Sequence, residues 1–152
     1  MGRIIDTIII HCSATRKNGR LTPFELERMH RNRGFNGCGY HYYIRKDGEI
    51  CEMRPVDRVG AHCKGHNNGS IGICYEGGLD NHGKPADTRT DDQKGSLIFL
   101  IKYLKKKYGI TTIAGHRDFS PDLNGNGEIE PEEWIKACPC FDAKKEYGRL
   151  LE

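Results

Sequence analysis

Two histidines and a late cysteine are the residues of this chain best suited to chemistry. His11 ends the apolar run Ile8-Ile9-Ile10, His116 follows Ile113-Ala114-Gly115, and Cys138 lies in Lys136-Ala137-Cys138-Pro139. Two imidazoles and one thiolate make three ligands. A tetrahedral zinc takes four, and an open fourth position separates a catalytic zinc from a structural one. If the three side chains meet in space, a water fills that position and the protein is a hydrolase. Spacing alone does not bring them together, because an isolated histidine is more often structural than ligating. What favours this pair is that each ends a strand-like run, where side chains emerge from a rigid frame. Cys138-Pro139-Cys140 is too tight to give two ordinary ligands to one ion. Cys12, Cys38, Cys51, Cys63 and Cys74 read as small core residues or incidental thiols.

The elements that must position these residues can be read in outline. Ile4 to His11 is an apolar, β-branched run too short for a typical helix, so a buried strand is expected. Thr22-Pro23-Phe24-Glu25 opens a helix: Thr22 caps, Pro23 fits the first helical position, and Glu25 completes a capping box. That helix should run to about Arg33 and stop at Gly34. Tyr40 to Arg45 alternates as a strand, Lys46-Asp47-Gly48 signals a hairpin turn, and Glu49 to Met53 returns. Ser70 to Tyr75 is a further buried strand closed by Gly77-Gly78. Asn81 to Arg89 is a loop. Thr90 to Gln93 is a second capping box, opening a helix with Leu97, Ile98, Leu100, Ile101 and Leu104 at helical spacing. Ile110 to Ala114 is a strand leading to His116, and a last helix covers Asp142 to Leu151. Interleaved strands and helices with one hairpin point to an α/β fold, a mixed central sheet flanked by helices.

Composition narrows the function classes. The chain has 152 residues, 36% hydrophobic and 30% charged, which suits one compact, ordered domain over residues 1–152. There is no internal repeat or low-complexity segment. A net charge of +3 falls short of a nucleic-acid footprint. Lys105-Lys106-Lys107 is the only basic run, and it sits where a helix C-terminus favours cations. No stretch is long and apolar enough to span a bilayer, and no secretory signal is visible. Seven cysteines, an odd number without the spacing of a secreted scaffold, favour a reducing compartment.

Five motifs then fall in one order: His11-Cys12-Ser13-Ala14-Thr15, Gly39-Tyr40-His41-Tyr42, Ser70-Ile71-Gly72-Ile73, Gly115-His116-Arg117-Asp118 and Lys136-Ala137-Cys138-Pro139. Together they resemble the zinc-dependent N-acetylmuramoyl-L-alanine amidases of the bacteriophage lysozyme type, within the peptidoglycan recognition protein superfamily. The resemblance spans essentially the whole chain. It implies zinc held by His11, His116 and Cys138, with Tyr40 and Lys136 as active-site residues. The implied reaction is hydrolysis of the amide between N-acetylmuramic acid and L-alanine in bacterial peptidoglycan. The segment from Gly60 to Asn67 resembles the family's substrate groove, with His62 and Asn67 as substrate-binding residues.

Elementary chemistry agrees with that assignment. Zinc lowers the pKa of its bound water toward about 7. The negative oxygen of a tetrahedral intermediate needs a cation and a donor, which Lys136 and Tyr40 would supply. No His-Glu-x-x-His helix is present, so a metalloprotease-type glutamate base is not indicated.

One segment departs from the short phage pattern. Asp122, Asn124, Asn126, Gly127, Glu128 and Glu133 fit the template of an EF-hand calcium loop, with Glu130 able to act through water. No flanking helix pair is evident, and the rival reading is a structured turn that positions Trp134 and Lys136. Zinc, with calcium as a candidate in this loop, completes the cofactor reading. The partner expected is peptidoglycan, with no nucleic acid or membrane, bound by a monomer kept in the cytoplasm until release. The rival is a binding module that recognises peptidoglycan without cutting it. Binding to a phage RNA polymerase is not expected, since only ten residues precede His11.

Overall fold

The computed structural model describes residues 3–121, 123–127, 129 and 137–152. Its centre is a five-stranded sheet in the order β4-β3-β5-β1-β7. These strands are β1 (Thr7–Cys12), β3 (Tyr42–Ile44), β4 (Ile50–Glu52), β5 (Ser70–Tyr75) and β7 (Thr112–Gly115). β1 runs parallel to both β5 and β7, and β3 runs parallel to β5 and antiparallel to β4. The sheet is therefore mixed, and β3 and β4 form an antiparallel pair at the hairpin that Lys46-Asp47-Gly48 closes. Gly48 makes this turn at φ +90, a left-handed conformation that costs glycine least.

Among the described residues three α-helices accompany the sheet: α1 (Pro23–Asn32), α2 (Asp91–Lys107) and α3 (Ala143–Tyr147). Both expected capping boxes are formed, Thr22 with Glu25 and Thr90 with Gln93, so each helix starts where its local chemistry satisfies orphan amides. Helix α2 lays Leu97, Leu100, Ile101 and Leu104 against Ile8, Ile10, Ile71, Ile73 and Tyr75 of the sheet. Each such burial stabilises by about 1.5–3 kcal/mol. The opposite face packs Leu26, Cys38, Tyr43 and Cys74 under α1.

Three expectations shift. The first strand begins at Thr7, and Ile4 is 88% exposed; the apolar run Ile4-Ile5 is broken by Asp6, whose carbonyl accepts from Thr111 and Thr112. Gly77-Gly78 does not simply end β5, because Gly78–Leu79 forms a short strand, β6, pairing in parallel with β2 (Thr15–Arg16). The last helix is short: α3 ends at Tyr147 and a 3-10 turn carries Gly148–Leu151. Among the described residues no helix is long and apolar enough to cross a membrane.

Candidate metal centre and cleft

Strand register brings the two histidines together. Ile10 of β1 pairs with Gly115 of β7, so His11 and His116 leave the same edge of the sheet side by side. Their ring centroids are 4.7 Å apart. Cys138 reaches that edge from the segment before α3, and its Sγ lies 3.1 Å from the Cys12 amide, which donates to it. The ligand atoms of His11, His116 and Cys138 all lie within 4.8 Å of one another. Small side-chain rotations bring such a trio to bonding distance, about 2.0–2.3 Å, of one ion. The donors are two imidazoles and a thiol, with a backbone N–H aimed at the sulfur. This donor set fits zinc at an open, three-ligand site. All seven cysteines carry free thiols.

His11 is fully buried and touches two further rings besides His116. Tyr40 lies at 5.0 Å between centroids, and His62 stands edge-on at 4.9 Å. His11 Nε2 is 2.9 Å from His62 Nδ1, His62 Nε2 is 3.3 Å from Ser70 Oγ, and the Ser70 hydroxyl donates to the His66 carbonyl at 2.7 Å. A polar chain thus runs inward from a candidate ligand, the arrangement by which outer groups fix a metal-binding imidazole. Burial pushes the His62 imidazole down to about 3, so it is neutral at pH 7. Its space comes from Gly72: a Cβ there would stand 2.6 Å from the His62 ring.

Tyr40 is half-buried beside His11, and burial pushes its phenol well above the usual range. Its backbone is fixed by His30, whose Nδ1 accepts from the Gly39 amide at 2.7 Å and whose ring stacks 5.2 Å from Tyr40. His41 sits behind it. Its Nδ1 accepts from the Gly72 amide, and its Nε2 is 2.7 Å from the Arg58 carbonyl. Burial pushes His41 down to about 4.

A cleft of about 560 Å³ opens beside this cluster, with His62, Asn67 and His116 in its wall. Arg33, Lys64 and Arg117 also line it, with no carboxylate among the described lining residues. Phe119 stacks on His66 at 4.4 Å at the cleft's edge. Asn67 spends its Oδ1 on the loop itself, accepting from the amides of His62 and Cys63 at 2.9 Å each. His62 is 7% exposed. The two residues read from the sequence as substrate-binding thus line the cleft while also working inward, one on the loop backbone and one on His11.

Lys136 lies outside the described residues, as do Asp122, Glu128, Glu130 and Glu133 of the calcium-like loop. Of that loop, Asn124 Oδ1 accepts from the Asn126 amide at 3.1 Å, and Gly125 and Gly127 have φ +73 and +84. That is the local turn chemistry of Asn and Gly. The sequence reading gives no individual role to Ser70, although it lies in a quoted motif, or to His30. Their partners lie within ten residues along the chain, His62 and His66 for Ser70 and Gly39 for His30, but on loops whose course no repeating pattern announces.

A family model described as N-acetylmuramoyl-L-alanine amidase matches residues 1–133. The chain belongs to the N-acetylmuramoyl-L-alanine amidase family. The match takes in His11, Tyr40 and His116 and stops short of Cys138. The endolysin of Klebsiella phage KP32 is 36% identical over 138 residues, 91% of this chain and 82% of that protein. The solved amidase LysC from Clostridium intestinale is 29% identical with a TM-score of 0.72, covering 97% of this chain and 83% of its own. Bumblebee PGRP-SA shares the fold at a TM-score of 0.70 and 21% identity, covering 100% of this chain and 89% of its own. The amidase family and the peptidoglycan recognition proteins thus share this mixed sheet with its flanking helices.

Proposed function

We propose that this chain is a zinc-dependent amidase that hydrolyses the bond between the lactyl group of N-acetylmuramic acid and L-alanine in bacterial peptidoglycan. The observation that carries the reading is the convergence of His11, His116 and Cys138 ligand atoms within 4.8 Å, beside a cleft, in a member of the amidase family. A zinc ion held by these three would supply Lewis acidity at the scissile carbonyl and lower the pKa of a water toward about 7.

The chain's own residues do the rest. With its Nε2 engaged by His62, His11 holds the ion through Nδ1. In that tautomer Nε2–H donates to His62 Nδ1, His62 donates onward to Ser70, and the ring orientation is fixed before substrate arrives. The Tyr40 phenol, kept protonated by burial, donates to the carbonyl oxygen as that oxygen gains charge. Lys136 brings a positive charge to the same oxygen. Arg33, Lys64 and Arg117 along the cleft suit a substrate that carries carboxylates, as stem peptides do. Residues 1–152 act as one catalytic domain, a monomer. Like the phage endolysins it resembles, the enzyme meets the wall after release from the cell.

The test is chemical analysis of the products released from purified peptidoglycan. New L-alanine amino termini with intact glycan strands are expected. New reducing sugar ends, or a wall that binds the protein and stays uncut, would contradict the reading, the second outcome pointing to a recognition module.

A further inference from the structure

The sheet ladder fixes His11 and delivers His116 just past the end of β7, but no ladder fixes Cys138. It lies in an irregular segment between the sheet edge and α3, and other bonds must set its place. Three involve the backbone. The Arg117 amide donates to the Cys138 carbonyl at 2.8 Å, the Cys140 amide to the Ala137 carbonyl at 2.8 Å, and the Cys12 amide to Cys138 Sγ at 3.1 Å. The fourth comes from a side chain: the Tyr75 hydroxyl donates to the Pro139 carbonyl at 2.6 Å, across 64 residues of sequence.

Tyr75 is well suited to hold that turn. It is the last residue of β5, fully buried, and stands in register with Cys12 of β1. Its ring lies 6.2 Å from Phe141 in the core beneath the turn. Phe141 in turn carries the Arg89 guanidinium 3.4 Å from its ring centroid. Gly115 lets Pro139 close on β7, since a Cβ there would stand 2.6 Å from Pro139 Cδ.

We propose that Tyr75 is a positioning residue for the thiolate ligand: through the Pro139 carbonyl it sets where Cys138 stands over the sheet edge. Phe141, clamped under Arg89, anchors the far side of the same turn. The inference rests on the zinc reading above. A tyrosine of equal burial supplies the contrast: the Tyr43 hydroxyl donates to the Leu21 carbonyl at 2.8 Å, the same kind of bond to a segment that carries no ligand. Loss of either hydroxyl leaves a comparable hole in the hydrogen bonding, but only one frees a ligand-bearing turn.

The experiment is cobalt(II) titration of metal-free protein, reading the thiolate-to-cobalt absorption band and the affinity by chelator competition. It compares wild type, Tyr75→Phe and Tyr43→Phe, with the urea midpoint of each metal-free protein as a measure of fold. Tyr75→Phe should weaken cobalt binding about tenfold or more, the range expected when an outer-shell support is lost, and alter the thiolate band. Tyr43→Phe should lower the urea midpoint comparably and leave affinity within about twofold, well below that range. If Tyr75→Phe does not fold, Phe141→Leu replaces it, with the same loss of affinity expected. Unchanged affinity and band in the Tyr75 variant, or in Phe141→Leu where that variant stands in, would overturn the inference, as would equal losses in the Tyr75 and Tyr43 variants. Wild-type protein that takes up no cobalt would overturn the zinc reading and this inference with it.

Discussion

Two polar clusters are buried on opposite faces of one sheet, and they are built on opposite rules. Beneath α3, Arg89 is 8% exposed and fully answered. It donates to Asp87 and Glu146 at 2.7–2.9 Å and to the Tyr147 hydroxyl at 2.6 Å, and it stacks over Phe141. The Arg89 hydrogen bonds hold Glu146 below the usual carboxylate range. On the other face, His11, His41 and His62 are buried with a thiol nearby, and their described hydrogen bonds join one imidazole to another, to Arg3, to Ser70 and to backbone. Burial keeps His41 and His62 neutral, at about 4 and about 3. A buried charge that only holds a fold together comes with its counter-charge. Imidazole and thiol donors gathered at one place suit a cation that arrives from outside.

Breaking each cluster should therefore fail in different ways. Cys138→Ser should cost the largest effect, about 100-fold or more in zinc affinity, the upper end for lost support at a metal site. The metal-free protein should keep its urea midpoint, because the thiol's chief contact is one backbone amide. Arg89→Met should do the reverse. It should lower stability by about 2–3 kcal/mol, below the usual cost of breaking a buried pair because Asp87 and Glu146 are 35% and 41% exposed. Denaturant unfolding of the metal-free variant reads this directly.

Gly72→Ala joins the two effects. Its new Cβ meets the His62 ring, so overpacking should cost about 1–3 kcal/mol. The displaced ring should also loosen His11 and reduce zinc affinity by about tenfold.

Legibility followed the range of the contacts. Both capping boxes were visible because each closes within four residues, and β5 because its whole run from Ser70 to Tyr75 is buried. The two histidines stood out because each follows a strand. The supports did not. Tyr75 reads as core and Arg89 as the end of a loop until contacts 57 to 64 residues away give them work, and Ser70 reads as a strand residue until the folded loop before it brings His62 and His66 to its hydroxyl. Asn67 was legible as a groove residue, while its grip on the His62 and Cys63 amides is a property of the folded loop.

The smallest expected effect is with pH. His41 has a folded pKa of about 4, below the ordinary 6.5, with burial the first cause and Arg3 and Arg54 acting in the same direction. A depressed histidine means that the unfolded chain binds more protons. Its contribution is thus complete above about pH 6.5 and is lost as pH falls toward 4. Stability should drop by about 1 kcal/mol per pH unit across that window, and His41→Gln should make the profile shallower there. An unchanged slope in the variant would place the acid sensitivity elsewhere.

The central claim is that His11, His116 and Cys138 gather one zinc and that the zinc-loaded protein cuts an amide. The most direct measurement is the rate at which metal-stripped protein releases L-alanine amino termini from purified peptidoglycan, before and after zinc is added back. The account predicts negligible release by the stripped protein and full recovery at one equivalent of zinc. Stripped protein that cuts as fast as the zinc-loaded form would contradict it.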